Sequence, residues 1–440
     1  MYREISKLIM YGNMEHDCIL YQLGEIFRRY DEKTSSKPEL IQDIYTQVKR
    51  LLIVATDYGF NHNLWHNYLT FFMVTNENPF SITCEKVGAN DGSVNHFAKN
   101  DFRVFKSLFD FDFSPIETEL GIDCFSLLSD YRAIGKKELM YNKNVSEKII
   151  ALSAQLEQAA DENGFFDCVT AFYREYGVGM FGLNKAFRIK ENAAGNELEF
   201  VAINNMDKVM LDDLVGYELQ KKKLVDNTRA FVEGKKANNV LLFGDSGTGK
   251  STSIKAIVNE FYPQGLRMIE IYKHQFKDLS NVIARIKNRN YRFVIYMDDL
   301  SFEEFETEYK FLKAVIEGGV ETRPDNILIY ATSNRRHLIK ETWSDRNDVQ
   351  VDNGMHKSDT MEEKLSLVNR FGVTINYSKP SQKEYFRIVT ELARRQGITM
   401  PDDELCAEAN KWELSHGGIS GRTAQQFVNY LAGFTSCTAN

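Results

Sequence analysis

The 440-residue sequence has few of the features that would mark several large classes of protein. It holds only 7 prolines, and its six cysteines are scattered without C-x-x-C spacing, which fits reduced thiols in a cytosol. Acidic residues outnumber basic ones, giving a formal net charge of −8, so no global basic field favours nucleic acid as a partner. No apolar run approaches the length of a membrane span, and the first residues are too weakly apolar for a signal peptide. We therefore expect a cytoplasmic protein without a membrane partner, and nucleic acid remains possible but is not favoured.

The distribution of apolar residues predicts three regions. A chain of this length is too long for one core. Apolar residues recur at helical spacing in the first 200 residues, which predicts a mostly helical N-terminal domain over 1–200 whose role the sequence does not show. Strand and helix patterns then alternate, which indicates a parallel sheet with crossover helices over 201–378. Helical patterns alone follow, and they predict a small lid over 379–440.

A phosphate-binding loop is the most informative stretch of the sequence. An apolar run over 240–243 reads as a buried strand, and an amphipathic helical pattern follows the loop. Between them the sequence fits G-x-x-x-x-G-K-[ST], whose backbone N–H groups cradle phosphates at a helix N-terminus. Lys250 is expected to reach the β- and γ-phosphates, and the Ser251 hydroxyl to ligate Mg²⁺. The nucleotide-binding residues predicted here are Gly244, Asp245, Ser246, Gly247, Thr248, Gly249, Lys250, Ser251 and Thr252.

Two aspartates follow a later apolar strand, Arg292 to Met297. The carboxyl end of such a strand lies beside the phosphate loop, where Mg²⁺ must be held. We assign Asp298 to the metal, through water, and Asp299 to the orientation of the attacking water. The alternative is that both acids merely cap the next helix.

These motifs, taken in order, resemble those of an AAA+ ATPase from Leu211 to the C-terminus. The strand and helix patterns, together with this resemblance, imply a P-loop α/β fold with a parallel five-stranded sheet, flanking helices and a helical lid. The segment before the phosphate loop resembles the one that holds adenine, with Val215 and Gly216 at the contact positions. The run Ala331 to Leu338 resembles a sensor strand end that reads the γ-phosphate, with Asn334 as the candidate and Ser333 as the alternate.

Three arginines are assigned through the same resemblance. The segment LVNRFG resembles the one that carries an arginine finger into a neighbouring subunit, which makes Arg370 the candidate and Arg346 the alternate. The segment GISGRTAQQF resembles a lid helix whose arginine, here Arg422, reaches the γ-phosphate. An arginine supplied in trans implies a homo-oligomer, and a surface or salt-bridged role is the alternative for each arginine.

More narrowly, DDLSFEEFE, RPDNILIYATSNRRHLI and SGRTAQQFV are similar to an uncharacterised bacterial ATP-binding family of the AAA+ type, domain of unknown function 815. Two departures from the AAA+ pattern stand out. Asp299 occupies the position where AAA+ hydrolases usually carry Glu, so turnover is expected to be slow. The segment YKHQFKDL lacks the aromatic-hydrophobic-Gly trio of threading pore loops, so Tyr272 and Phe276 are interpreted as core or interface residues.

Two functions remain open. One is a Mg²⁺-dependent ATPase that remodels an unknown protein client bound through the N-terminal domain. The other is a nucleotide-gated switch or loader that binds ATP with little turnover and controls assembly on protein or DNA. Two further patterns are judged structural: His62 and His66 have helix-face spacing but no third metal ligand, and Lys221 to Lys223 read as a solvated helix face. The run 187–203 predicts a hairpin.

Overall fold

The computed structural model describes residues 1–134, 142–191, 198–204, 206–303, 308–317, 324–336, 338 and 367–435. Backbone contacts divide the chain into two compact units, Met1–Asn184 and Lys185–Asn440. Among the helices in these ranges, none is long and apolar enough to cross a membrane.

The first unit is built from helices around one core. Its longest helix begins with a capping box between Ser36 and Glu39 and ends at Gly59, whose φ of 67° closes the helix in the left-handed region. The phenylalanine-rich run 101–113 is part of this core, as interpreted from the sequence, because Phe102, Phe105 and Phe109 are buried. The helices are α1 (Tyr2–Ile5), α2 (Ile19–Asp31), α3 (Lys37–Tyr58), α4 (Leu64–Thr75), α5 (Pro79–Val87), α6 (Ser93–Phe109), α7 (Ser114–Leu120), α8 (Cys124–Ser129), α9 (Lys143–Gln158), α10 (Glu162–Tyr176) and α11 (Gly179–Leu183).

The second unit contains a twisted sheet with crossover helices. The strands are β1 (Ala186–Glu191), β2 (Leu198–Ala202), β3 (Val240–Gly244), β4 (Leu266–Glu270), β5 (Arg292–Met297), β6 (Ile327–Ser333) and β7 (Val373–Tyr377). Their order is β2-β1-β4-β5-β6-β3-β7, and every pair except β1 with β2 is parallel. The connecting helices described are α12 (Glu218–Val232), α13 (Lys250–Phe261), α14 (Leu279–Ile286) and α15 (Glu308–Glu317).

The prediction of a five-stranded sheet is therefore wrong in its strand count, because the sheet has seven strands. The expected hairpin forms, but β1 also pairs in parallel with β4, from Ala186 opposite Met268 to Arg188 opposite Glu270. A free edge of β4 would leave its backbone donors and acceptors without ladder partners, and the hairpin satisfies them. Because β1 pairs with β4, the hairpin belongs to the α/β unit. The boundary between the two units therefore falls after Asn184, whereas the sequence placed it near residue 200.

Three helices follow β7 and form the region expected as a lid. They are α16 (Gln382–Arg395), α17 (Asp402–Ser415) and α18 (Gly421–Thr435). The side chain of Ser381 accepts from the Glu384 backbone N–H while the Glu384 carboxylate accepts from the Ser381 N–H, which is the predicted capping box. These helices share a small apolar cluster of their own, which includes Tyr385, Leu405 and Phe427.

Candidate functional site

The loop between β3 and α13 has the backbone shape that its glycines allow. Gly244, Gly247 and Gly249 have φ values of 131°, 76° and 91°, which side chains with a Cβ rarely adopt. Space excludes a Cβ as well: at Gly244 it would lie 2.3 Å from the Tyr377 carbonyl oxygen, and at Gly249 it would lie 2.9 Å from a Leu214 methyl group. The loop therefore leads into the N-terminus of α13 in a conformation that depends on glycine.

Lys250, the first residue of α13, is directed back into this loop. Its Nζ donates to the carbonyl oxygens of Gly244 (3.0 Å) and Asp245 (2.6 Å) and to Asn334 Oδ1 (3.0 Å). The side chain is buried. Burial lowers the Lys250 pKa below its ordinary value, and the nearby aspartates, Asp299 foremost, oppose that shift. The ammonium group is thus held at the loop by neutral oxygen acceptors, which phosphate oxygens can replace.

Ser251 and Asp298 meet at the carboxyl end of β5. Ser251 Oγ donates to Asp298 Oδ1 at 2.7 Å, and the hydroxyl of Thr332 donates to the same oxygen at 2.6 Å. Removal from water raises the pKa of the Asp298 carboxyl, but hydrogen bonds, including those from Thr332 and Ser251, outweigh this effect and lower it overall. The carboxylate is therefore ionised at neutral pH beside a hydroxyl, which suits a hard divalent cation.

Asp299 and Asn334 face each other beside Lys250. Asn334 Nδ2 donates to Asp299 Oδ1 at 2.7 Å, while Asn334 Oδ1 accepts from Lys250. Asp299 has a φ of 48°, a left-handed conformation in which Asp is enriched among non-glycine residues. The alternate sensor residue, Ser333, is buried and its Oγ accepts from the Arg335 backbone N–H. Asn334, not Ser333, therefore connects the loop lysine with Asp299.

These groups line a cavity of about 710 Å³ in the second unit. Val215, Leu214 and Tyr217 line it from the segment before the loop, and Ile388 and Leu392 line it from α16. Arg422 lines it from the start of α18, where its backbone N–H donates to the Gly247 carbonyl oxygen at 3.1 Å. The lining thus combines apolar side chains from α16 and from the segment before the loop with the cationic side chains of Lys250 and Arg422 and the carboxylates of Asp298 and Asp299.

The structure brings most of the sequence-predicted residues to this cavity. The lining includes Val215, Ser246, Gly247, Thr248, Gly249, Lys250, Ser251, Thr252, Asp298, Asp299, Asn334 and Arg422. Gly216 adjoins Val215, with a φ of 85°. Gly244 and Asp245 contribute their carbonyl oxygens to Lys250, and the Asp245 carboxylate accepts from the Lys379 backbone N–H at 2.8 Å.

Arg370 is not among the residues that line the cavity. It precedes β7, whose first residue, Val373, pairs with Val240 at the start of β3. The phosphate loop follows the other end of β3, roughly 15 Å away at ~3.3 Å per residue. Arg370 therefore lies near the opposite end of the strands from its own loop. The alternate, Arg346, lies outside the described residues.

Several residues that line the cavity were not predicted from the sequence. Thr332 lies on β6, two residues before Asn334, which directly follows the last residue of that strand. Side chains two residues apart along a strand share a face, and this spacing was the signal that could have identified Thr332. Asp213, Ile388, Leu392, Gln425 and Gln426 also line the cavity. They converge from three segments, and no local pattern marks them.

His66 and the segment that contains Tyr272 and Phe276 were both interpreted as structural. His66 stacks on Phe109, and its Nε2 lies 2.9 Å from the Phe109 carbonyl oxygen. Phe276 is buried, as interpreted from the sequence, whereas Tyr272 is 40% exposed and its hydroxyl donates to Glu270. In the ranges that the structure describes, no three His, Cys, Asp or Glu side chains form a metal cage. A magnesium ion beside a phosphate loop needs fewer, because substrate oxygens and water complete its shell.

A mostly parallel sheet with a phosphate loop, a second strand that ends in two aspartates and a helical lid defines a P-loop α/β protein of the AAA+ type. The model of the family described as "Protein of unknown function (DUF815)" matches residues 183–435. This is more than half of the sequence, and the chain belongs to that family.

Comparison with solved structures finds similar folds at low identity. The RuvB Holliday junction branch migration motor of Thermotoga maritima is 17% identical, with 53% of this chain and 67% of that chain covered and a TM-score of 0.38. The FIGL-1 AAA domain in complex with ADP is 18% identical, with 53% and 75% covered and a TM-score of 0.37. No curated protein matches the sequence.

Proposed function

We propose that this protein binds ATP with Mg²⁺ in the 710 Å³ cavity and hydrolyses it to ADP and phosphate. The observation that carries the proposal is the hydrogen-bonded connection from Lys250 through Asn334 to Asp299, next to the Ser251–Asp298 pair. Cation, amide, carboxylate and metal-binding oxygens are the groups that phosphoryl transfer to water requires. The residues present fit the nucleotide and the metal.

Each group has a distinct task in this proposal. Lys250 and the loop N–H groups bind the phosphates, and the apolar residues around Val215 and Ile388 hold the base. Ser251 and Asp298 provide oxygen ligands for Mg²⁺, which when bound neutralises charge on the phosphate oxygens. Asp299 and Asn334 orient a water molecule. The water oxygen bonds to the γ-phosphorus while the bond to the β–γ bridging oxygen breaks, and the water proton passes to solvent.

Closure of the lid is the proposed consequence of binding. Arg422 reaches the cavity from α18, so the charge on a γ-phosphate attracts the lid directly. Arg370 is proposed to complete a neighbouring subunit's site, which requires a homo-oligomer. An unknown protein client is proposed to bind the first unit and to be remodelled as the lid moves, with nucleic acid possible but not favoured. The described cysteines are free, in keeping with a proposed cytoplasmic location.

A nucleotide-gated switch with little turnover is the second candidate. It is favoured by the Asp299–Asn334 hydrogen bond, which occupies an oxygen of the carboxylate that would orient the water. Asp299 is also one methylene shorter than the usual Glu. The hydrogen bond engages one carboxylate oxygen, and the shorter side chain holds the carboxylate nearer the backbone, so both make Asp299 less able to orient a water molecule.

Steady-state phosphate release with saturating ATP and Mg²⁺ distinguishes the two candidates. Turnover near ~1 s⁻¹ or faster, the lower range for enzymes, supports the ATPase. Tight ATP retention with negligible phosphate release supports the switch. An absence of ATP binding would contradict both.

The Asp299→Asn variant tests the assigned role of Asp299. The amide keeps the side-chain size but cannot take part as a carboxylate, so ATP should stay bound while turnover falls by roughly 100-fold or more. Retained radiolabelled ATP and released phosphate are measured on the same sample. Turnover equal to that of the unaltered protein would remove Asp299 from this role.

A further inference from the structure

Thr332 makes three hydrogen bonds to the residues that follow β5. It is nearly fully buried in β6, between β3 and β5. Its hydroxyl donates to Asp298 Oδ1 at 2.6 Å and accepts from the Asp299 backbone N–H at 2.9 Å. Its carbonyl oxygen accepts from Leu300 N at 2.7 Å. One residue thus holds three consecutive residues at the end of β5.

The hydroxyl uses its donor and its acceptor capacity on two different acidic residues. The bond to Asp298 fixes the oxygen that also accepts from Ser251. The bond from the Asp299 N–H supports a backbone with a φ of 48°, an unusual conformation for a residue with a side chain. That conformation directs the Asp299 carboxylate to Asn334. One hydroxyl group therefore supports the orientation of both acidic residues.

We propose that Thr332 is a positioning residue for ATP hydrolysis, which holds Asp298 for Mg²⁺ and Asp299 for the attacking water. This inference rests on the proposed ATPase function. Groups that orient metal ligands from behind typically change metal affinity or activity by 10–100-fold when removed. Valine has nearly the same shape as threonine but cannot form either bond, whereas serine can form both.

The test compares Thr332→Val and Thr332→Ser in the full-length protein. The valine variant should require roughly 10-fold more Mg²⁺ for half-maximal phosphate release and should lose at least ~10-fold in kcat at saturating Mg²⁺. Its KM for ATP should change far less, because Lys250 and the loop are intact. The serine variant should stay within about threefold of the unaltered protein on each measure.

A binding measurement provides a readout that does not depend on turnover. The thermal shift produced by ATP is measured in EDTA and again with Mg²⁺. Thr332→Val should keep the shift in EDTA and lose most of the additional shift that Mg²⁺ gives. Loss of both shifts would show a general defect of the fold and would overturn the proposal.

Thr228→Val is the matched control. Thr228 is fully buried on α12, and its hydroxyl bonds to Tyr330 OH at 2.7 Å and to the Leu224 carbonyl oxygen at 2.8 Å. Removing this hydroxyl should lower thermal stability without changing the Mg²⁺ requirement. An equal change in Mg²⁺ requirement in both valine variants would mean that loss of any buried hydroxyl produces the effect.

The outcomes distinguish a failure of the role proposed for Thr332 from a failure of the proposed ATPase function. If the unaltered protein binds ATP but releases no phosphate, the ATPase function fails, and the Mg²⁺-dependent thermal shift still tests Thr332. If the unaltered protein hydrolyses ATP and Thr332→Val matches it in Mg²⁺ requirement and kcat, only the role of Thr332 fails. Should Thr332→Val not fold, Thr332→Ala is measured by the same Mg²⁺ titration and the same criterion applies.

Discussion

At the scale of single residues, Lys250 joins the phosphate loop to the water-orienting pair. Its ammonium group donates to two carbonyl oxygens of the loop and also to Asn334 Oδ1, so it bonds directly to both. Incoming phosphate oxygens compete for that ammonium group. Nucleotide binding is therefore expected to loosen its bond to Asn334 and to change the surroundings of Asp299.

We expect Lys250→Ala to abolish detectable ATP binding, because a buried cation that faces the phosphates would be lost. Equilibrium binding of a fluorescent ATP analogue measures the effect. Lys255→Ala is the matched control, since Lys255 lies on the same helix but pairs with Asp207 at 2.6 Å. The assignment fails if the two variants bind the analogue equally well.

At the scale of elements, one arginine connects the lid to the segment before the phosphate loop. Arg395, the last residue of α16, donates to the Asp212 carbonyl oxygen at 2.9 Å and lies 3.6 Å from the Asp213 carboxylate. Its Nε donates to Glu391 at 2.8 Å. Arg394 pairs with the same glutamate at 2.7 Å, but its side chain is 73% exposed.

Arg395→Ala should weaken ATP binding by about two- to fivefold, because partly exposed ion pairs are usually worth ~0.2–1 kcal/mol. The physical reason is a lid less firmly held against the segment that we propose contacts the base. Arg394→Ala should leave the dissociation constant unchanged, although it removes an ion pair with the same glutamate. Equal weakening in both variants would show that Glu391, and not the link to Asp212, is responsible.

The first unit offers a separate test at this scale. Asp101 on α6 is fully buried, and its carboxylate accepts from the backbone N–H groups of Ile9, Met10 and Tyr11. Hydrogen bonds to a buried charged group contribute more than neutral ones, about 1.5–3 kcal/mol each. The segment after α1 is therefore held in place by one side chain.

Asp101→Asn should lower the free energy of unfolding by on the order of 2–3 kcal/mol, because an amide presents only one acceptor oxygen to three donors. Urea denaturation followed by circular dichroism measures it. Asp110→Asn, on the surface after the same helix and paired with Lys106, should change it by less than ~1 kcal/mol. A loss of the same size at both positions would argue against a special role for Asp101.

At the scale of the whole molecule, the position of Arg370 bears on assembly. The length of β3 and β7 separates it from its own phosphate loop, since it precedes the first residue of β7 and the loop follows the last residue of β3. A charge at that distance, beyond the Debye length at physiological salt, contributes little to the chemistry of its own site. If Arg370 takes part in hydrolysis, it does so in a neighbouring copy.

Mixing variants tests this directly. Arg370→Ala should reduce turnover by roughly 10³-fold or more, the usual scale for an arginine finger. Adding the inactive Lys250→Ala protein should restore part of the activity, because its intact Arg370 completes the neighbour's site. Arg387→Ala, at an exposed position on α16, should keep full activity. No recovery on mixing would contradict action in trans.

The sequence alone predicts the phosphate loop, the strand that is followed by two aspartates, and the five strands of the parallel sheet. The signals are local: glycines at fixed spacing, continuous apolar runs, and polar residues where those runs end. Strand boundaries agree closely: β5 begins and ends as expected at Arg292–Met297, and the run expected over 240–243 forms β3, Val240–Gly244. Local chemistry determines these elements because each depends on its own backbone geometry and burial.

Sequence alone thus determined the kinds of element and the polar groups at their ends, since these follow from short-range conformational preference and periodicity. Only the tertiary structure decided that the hairpin extends the sheet to seven strands, that Asn334 rather than Ser333 joins Lys250 to Asp299, and that Thr332 holds both aspartates. These outcomes depend on which strand edges pair and which way a side chain turns at the end of a strand. Such choices arise from contacts between segments far apart in the chain, and no local pattern records them.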